Sequence, residues 1–377
     1  MLFARGRVGR TGRICPRPEV EATVEYVRLG NSGLMVSRLA IGTLTVGDHP
    51  KFAAMGGVDA DACRRLFDIA FDAGVNLVDT ANLYSFGQAE EITAKALAGR
   101  RDDVVLTSKV RMPLGDRPNE GGASRYHILR EVENSLRRLG TDRIDLLYLH
   151  QWDGQTPVEE TLAALDALVR DGKVRYVGTS NFSAWQLCKT VYTARARGTA
   201  EPVVQQMYYT PEAREIEYEI LPAARDLGVG TFVWSPLGEG LLTGKVRRGQ
   251  PTPETTRQGT GWPEPHVVDW DRAHAVIDVL DEIASAHQVS IPQVVLAWLL
   301  ERPGVTGIVL GARTEQQLRD DLAAPSLALT EQERDRITRA GQPPALYPFW
   351  HRNLNAADRP DPAELPYLHE FATTTAP

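Results

Sequence analysis

Eight short apolar runs alternate with segments of helical period along the chain, and this alternation limits the possible folds more than any other feature. Six runs rich in β-branched residues, each bounded by turn or charge signals, lie at 75–79, 104–109, 144–150, 174–178, 203–206 and 229–234. Runs 38–42 and 305–310 supply the first and last members. Parallel strands buried on both faces have this composition. Between them, 60–73 places Cys63, Leu66, Phe67, Ala70 and Phe71 on one helical stripe, and 127–139 does the same with Ile128, Val132, Ser135, Leu136 and Leu139. Pro157 opens 158–169 as a first-turn proline would. Strands and helices in this order predict an α/β fold, a (β/α)8 TIM barrel, with a doubly wound open sheet as the alternative.

Three stretches break the repeat. Segments 46–58 and 110–124 follow strands and are rich in Gly and Pro, so they are expected to loop over the C-terminal face of the barrel. Segment 249–269 carries four prolines and no clear period. The chain beyond the last helix, 342–377, contains Tyr347-Pro348-Phe349-Trp350-His351 and is expected to fold back near the barrel mouth. At the other end, the first eighteen residues hold Arg5, Arg7, Arg10, Arg13 and Arg17 and no acid. That balance suits a disordered tail, perceived as residues 1–24 preceding a barrel at 25–341 and consistent with an early start codon. A transit peptide would be Ser-rich, and a secretory signal would need an apolar stretch that is missing.

Charge and cysteine usage exclude several classes. The net charge is -7 over 377 residues, and setting aside the five N-terminal arginines leaves about -12, the opposite of a nucleic-acid surface. No apolar run approaches the roughly 18 residues that span a bilayer, so no membrane partner is expected. Cys15, Cys63 and Cys188 are scattered, odd in number and without metal-like spacing, which predicts neither a disulfide framework nor a metal site and points to a reducing, cytoplasmic setting. Oligomeric state has no signature in the sequence.

Three of the apolar runs end on an ionisable side chain: Asp79, Lys109 and His150, with Tyr84 five residues beyond the first. In a parallel barrel the C-terminal strand ends converge on the face where chemistry is done. Asp, Tyr, Lys and His brought together there are what donation of a proton to a carbonyl requires. A metal-dependent hydrolase would need clustered His and carboxylate ligands, and only His150 and Asp79 qualify.

Over roughly residues 25–350 the chain resembles the aldo-keto reductase family, on the bacterial side related to potassium-channel β subunits. The ordered motifs that carry the likeness are Tyr26-Val27-Arg28-Leu29-Gly30, Ala73-Gly74-Val75-Asn76-Leu77-Val78-Asp79-Thr80-Ala81, Asp142-Arg143-Ile144-Asp145-Leu146-Leu147-Tyr148-Leu149-His150, Gly172-Lys173-Val174-Arg175-Tyr176-Val177-Gly178, Ser180-Asn181-Phe182-Ser183, Trp234-Ser235-Pro236-Leu237 and Gly311-Ala312-Arg313-Thr314 followed by Gln317-Leu318. The family fold is a (β/α)8 barrel. The resemblance implies hydride transfer from a reduced nicotinamide to an aldehyde or ketone, a small carbonyl substrate. Tyr84 would donate the proton, Lys109 would lower its pKa, Asp79 would hold Lys109, and His150 would polarise the carbonyl.

No Gly-x-Gly-x-x-Gly fingerprint follows a strand; the resemblance instead implies a cofactor lying across the barrel mouth. Gly42 and Thr43 match cofactor-contacting positions after the first strand. Ser180, Asn181 and Gln206 would hold the nicotinamide carboxamide, with Gln205 a close rival to Gln206 that the spacing to Arg214-Glu215-Ile216-Glu217 disfavours. Trp234 would stack on the nicotinamide ring. Ser235, Leu237 and Lys245 fall where the family wraps the pyrophosphate, and Gly311, Ala312, Arg313, Gln317 and Asp321 in its adenosine-binding stretch. Arg313 favours NADPH (NADP+) over NADH, because a guanidinium grips a 2′-phosphate with two parallel hydrogen bonds. Two positions depart from the family: Asp321 stands where Asn is usual, and Ser85 where Gly usually follows the tyrosine. Trp152, Tyr208 and Trp350 are candidate walls of the substrate pocket. The resemblance also implies an alternative, a nicotinamide-bound regulatory or scaffold protein of the channel β-subunit type.

Overall fold

Side by side, the eight apolar runs pair as parallel strands and the sheet closes on itself. The structure is a computed structural model that describes residues 24–254, 256–260 and 262–372. A short antiparallel hairpin, β1 (Tyr26–Arg28) and β2 (Met35–Ser37), precedes the barrel strands β3 (Leu39–Gly42), β4 (Leu77–Asp79), β5 (Val105–Val110), β6 (Ile144–Leu149), β7 (Val174–Ser180), β8 (Pro202–Tyr208), β9 (Gly230–Trp234) and β10 (Gly307–Leu310). Closure is made by β10 pairing with β3, Ile308 opposite Leu39. Around it run α1 (Ala60–Asp72), α2 (Gln88–Ala96), α3 (Arg125–Leu139), α4 (Val158–Arg170), α5 (Ala184–Arg197), α6 (Ile220–Leu227), α7 (Trp270–His287), α8 (Ile291–Glu301), α9 (Glu315–Leu322) and α10 (Glu331–Ala340). The expected (β/α)8 barrel is therefore what the chain forms.

Local chemistry sets the helix ends. Ser124 caps α3 by accepting from the His127 amide, and Gly140, at φ 59°, stops it in the left-handed region that glycine enters without strain. Strand side chains alternate between two cores. On β6, Leu147 and Leu149 pack outward against the helices, whereas Leu146 and Tyr148 point into the barrel with Ala40, Leu77, Val204, Phe232 and Val309. Gly178 on β7 makes room for this interior: a Cβ there would lie 2.8 Å from the Tyr148 ring.

The hairpin, which the strand-helix repeat did not foresee, joins the interior core through Leu29 and Val36. Its turn sits against the starts of the barrel strands, with the Asn31 amide donating to the Gly228 carbonyl at 2.8 Å. A side chain on Gly30 would meet the Val203 carbonyl oxygen at 2.2 Å, so only glycine lets the hairpin seal this end. The opposite end stays open.

The segment after residue 342 does not reach the open end as expected. It forms α11 (Phe349–Asn355) and α12 (Leu365–Ala372). Phe349 packs its ring 5.3 Å from that of Tyr218, and the buried Tyr367 donates to the Pro303 carbonyl at 2.5 Å, in the turn that enters β10. The aromatic anchors thus find their seats on the outer wall. Trp350 lies out there too, beside Tyr347 and His351 and substantially exposed. The Arg-rich stretch 1–23 and Cys15 lie outside the described residues; Val24 is already buried. No single described helix is long and apolar enough to cross a membrane.

Because Phe232 is fully buried at the centre of the barrel, Phe232→Ala is expected to lower stability by about 3–5 kcal/mol, measured by urea unfolding.

Candidate active site

Strand parity aims the four candidate residues. Leu77 points into the barrel, so Asp79, two residues on along β4, does too; Lys109 follows Thr107 on β5 in the same way, and His150 continues the inward series Leu146–Tyr148 one residue past β6. Tyr84 comes from the 3-10 turn Tyr84–Gly87 just beyond β4. The four side chains meet at the C-terminal end of the barrel.

Lys109 Nζ lies 2.5 Å from Asp79 Oδ2, 3.0 Å from the Thr80 carbonyl oxygen and 3.1 Å from Tyr84 Oη. Asp79 Oδ1 accepts from Thr107 Oγ1 at 2.8 Å and from Gln206 Nε2 at 3.0 Å. Asp79 and Lys109 are both buried, at 3% and 1% exposure, so each charge depends on the other for solvation. The Tyr84 and His150 rings lie edge-on with centroids 5.9 Å apart.

Burial dominates the protonation of this group. It opposes the Lys109 charge, but the Asp79 carboxylate and the Tyr84 oxygen outweigh it and carry the ammonium pKa above its usual value. Burial raises the Tyr84 phenol, and Lys109 offsets this only in part. The expected low pKa is thus not the resting condition: before anything binds, Tyr84 holds its proton. Burial, with Lys109 and Arg111 nearby, pushes His150 well below the normal histidine range. His150 is therefore a neutral imidazole, and its buried Nδ1 has no hydrogen-bond partner among the described residues.

The turn that presents Tyr84 is backed by a serine in an unusual conformation. Ser85 and Phe86 have φ of 45° and 51°, which costs non-glycine residues of order 1–3 kcal/mol. The fully buried Ser85 hydroxyl donates to the Val46 carbonyl at 2.9 Å. The serine thus ties the tyrosine turn to the loop at 46–58.

These residues open onto a cavity of about 740 Å³, within the range of small-molecule sites. Of the other sequence candidates, Gly42, Ser180, Asn181, Gln206, Trp234, Ser235, Leu237, Lys245, Gly311, Arg313, Gln317 and Asp321 line it together with Asp79, Tyr84 and His150. Thr43, Lys109 and Ala312 do not. Thr43 is buried behind the wall, donating to the Asp79 carbonyl from both its amide and its hydroxyl, and the Ala312 carbonyl accepts from Thr45 Oγ1.

Parity also separates the two glutamines on β8. Gln206 shares the inward phase of Val204, whereas Gln205 faces the helices, its amide near Thr231 Oγ1 and the Ile220 carbonyl. Asn181, at φ 58°, donates to the His150 carbonyl and accepts from Trp234 Nε1 at 3.0 Å. Ser180 Oγ donates to the Gln206 carbonyl at 2.9 Å. One face of Trp234 is backed by Tyr208, centroids 5.0 Å apart. A Cβ on Gly311 would meet nothing within 4 Å, so that stretch of wall is open. Arg313 sits at the lip, donating to the Ala54 carbonyl.

Sequence reasoning missed Arg257 and Glu239. Both line the cavity, Arg257 Nη1 lying 3.5 Å from Glu239 Oε2. Arg257 stands in the aperiodic stretch 249–269, where no spacing signal places a side chain. Of the candidate substrate walls, Trp152 packs instead against Phe182 and Trp185, and Phe52, Leu83 and Met112 supply apolar wall. Among the described residues no cluster of His, Cys, Asp or Glu could hold a metal.

Chemically, the arrangement is a proton held on a phenol, a buried ammonium behind it and a neutral imidazole beside it, all at one end of a cavity. The sequence model of the aldo/keto reductase family matches residues 38–342. An uncharacterized oxidoreductase of Bacillus subtilis, YrpG, is 38% identical over 82% of this chain and 93% of its own. A protein of Oryza sativa described as a probable voltage-gated potassium channel subunit beta is 35% identical, over 83% and 95%. Versiconal hemiacetal acetate reductase of Aspergillus parasiticus is 33% identical, over 86% and 99%.

Removing the ammonium while leaving the carboxylate is expected to cost about 3–5 kcal/mol in Lys109→Met. Urea unfolding should show part of that loss recovered when Asp79→Asn is added, because the uncompensated charge is then gone.

Proposed function

The chain belongs to the aldo/keto reductase family, and we propose that it is an NADPH-dependent oxidoreductase that reduces an aldehyde or ketone to an alcohol. The observation that carries this reading is the Asp79–Lys109–Tyr84 hydrogen-bonded chain opening beside His150 onto the cavity.

The cavity suits a dinucleotide: its wall offers amide and hydroxyl groups near Tyr84, an indole face, three cations in Lys245, Arg257 and Arg313, and the open stretch at Gly311. A bound reduced nicotinamide supplies the hydride. Ser180, Asn181 and Gln206 orient its carboxamide and Trp234 covers its ring. Ser235, Leu237 and Lys245 take the pyrophosphate, with Gly42 on the facing wall. Gly311, Arg313, Gln317 and Asp321 take the adenosine half, Arg313 reaching the 2′-phosphate that distinguishes NADPH from NADH.

His150 donates an N–H to the substrate carbonyl oxygen and fixes its position; being neutral, it polarises without transferring a proton. Tyr84 gives its proton to that oxygen as negative charge grows there. Lys109, at 3.1 Å, stabilises the phenolate left behind, and Asp79 holds Lys109 in place and charged. Phe52, Leu83 and Met112 exclude water from the reacting carbonyl.

Two variants test the reading, followed by NADPH absorbance against a panel of aldehydes and ketones. Tyr84→Phe should lose about 10²–10⁴-fold in turnover while binding NADPH as before. Retained activity would remove Tyr84 from its role, and NADPH bound with no carbonyl reduced by either form would favour the regulatory alternative. Arg313→Ala should weaken NADPH binding by about tenfold to a hundredfold, the value of a charged hydrogen bond, and leave NADH within about twofold in calorimetric titration.

A further inference from the structure

Asp321 is a buried carboxyl group that the proton chemistry does not use. It sits on α9 with only 5% exposure and faces the cavity at the Arg313 end. No hydrogen-bond donor among the described residues reaches it. Its neighbour Asp320 is provided for: Ser290 Oγ donates to one oxygen at 2.5 Å and Gln293 Nε2 to the other at 2.8 Å. Of two adjacent carboxyl groups, one solvated by donors and one with none, the proton belongs on the second.

We infer that Asp321 binds the adenine edge of the dinucleotide as a neutral carboxylic acid, its C=O accepting from the exocyclic amine and its O–H donating to the adjacent ring nitrogen, so that nucleotide binding takes up a proton. The inference rests on the cofactor reading above. With the nicotinamide beside Tyr84 and Trp234, the adenosine half must occupy another part of the same cavity, and the wall at Gly311 and Arg313 offers open space and a cation. A carboxylate offers only acceptors, which suit the amine but repel the ring nitrogen; the protonated acid, like an amide, offers one donor and one acceptor.

Burial and the Asp320 charge raise the Asp321 pKa to about 7, so both forms are within reach near neutrality. Binding to the acid form raises the pKa further in the complex. Affinity is therefore full below the free-protein pKa and falls as pH rises above it, by up to about tenfold per pH unit, until the pKa of the complex is passed. The other charged or titratable groups lining this cavity are Asp320 and Arg313 on the same segment, Lys245, Glu239, Arg257 and Glu264 between residues 237 and 264, and Asp79, Tyr84 and His150 at the catalytic end. From α1, Arg65 meets α9 at Glu315, and α8 presents the neutral Ser290 and Gln293. All of them remain in a variant changed only at Asp321.

The test is calorimetric titration of NADPH, and of NADH to remove the 2′-phosphate, into wild type and Asp321→Asn between pH 6.5 and 9. Repeating it in buffers of different ionisation enthalpy counts the protons taken up. Wild type should weaken as pH rises and take up close to one proton near pH 8. Asp321→Asn should bind like wild type at pH 6.5, show no slope from this group, and bind more tightly than wild type at pH 9, since an amide keeps its donor at every pH. Equal slopes in the two proteins, or no slope in wild type, would overturn the role of Asp321 and leave the cofactor reading standing. No binding of either nucleotide by either protein at any pH would overturn both.

Discussion

The ion pair between Asp79 and Lys109 is the constraint around which the open end of this barrel is arranged. Two opposite charges that water scarcely reaches are tolerable only at close range with their remaining valences filled. Thr107, Gln206 and the Thr80 carbonyl fill them. Each of these partners comes from a different strand or strand end, so correct closure of the barrel and correct solvation of the pair are one event. Among the described residues the ammonium has one further hydrogen-bond partner, the Tyr84 hydroxyl. The same arrangement that keeps a charge alive in the interior therefore hands its field to a phenol.

Why chemistry gathers at one end follows from how the two ends are finished. At the start of the strands the hairpin inserts Leu29 and Val36 beneath Leu77, Leu146, Val204 and Phe232, giving a dry floor. One step along the strands the same inward phase carries Asp79, Lys109, Tyr148 and Gln206. The interior thus passes from apolar to polar along its axis, and the polar layer lies under the cavity. Above it the tyrosine turn accepts backbone strain at Ser85 and Phe86, compensated by a buried hydrogen bond to the loop at 46–58.

The far end of the cavity follows another rule. There the wall comes from α9 and the turn before it, and its character is set by a guanidinium at the lip and a carboxyl group without donors. Departures from a family pattern such as Asp321 or Ser85 acquire meaning only when their partners are seen. Ser85 is a tether to the loop at 46–58, and Asp321 is a carboxyl group whose pKa is raised by its own burial and then by the charge of Asp320.

Much of this was set by the sequence alone. Alternating strand and helix periods marked an α/β fold, with closure into a barrel left to the pairing of β10 with β3, and the ends of three apolar runs singled out Asp79, Lys109 and His150, because the C-terminal ends of parallel barrel strands converge on one face. Tertiary structure decided the rest, for physical reasons that spacing cannot carry. The three-residue strands of the hairpin are too short for a periodic signal, and their place depends on a close approach at Gly30. Segment 342–372 carries aromatic anchors, but only the folded surface determines whether these seat at the mouth or, as they do, along α6 and the turn into β10. Arg257 and Glu239 come from aperiodic loops. The phase of β8 turns Gln206 inward and Gln205 toward the helices, in the sense that the spacing to Arg214 favoured, and the resting protonation of Tyr84 needed its burial, which outweighs the nearby ammonium.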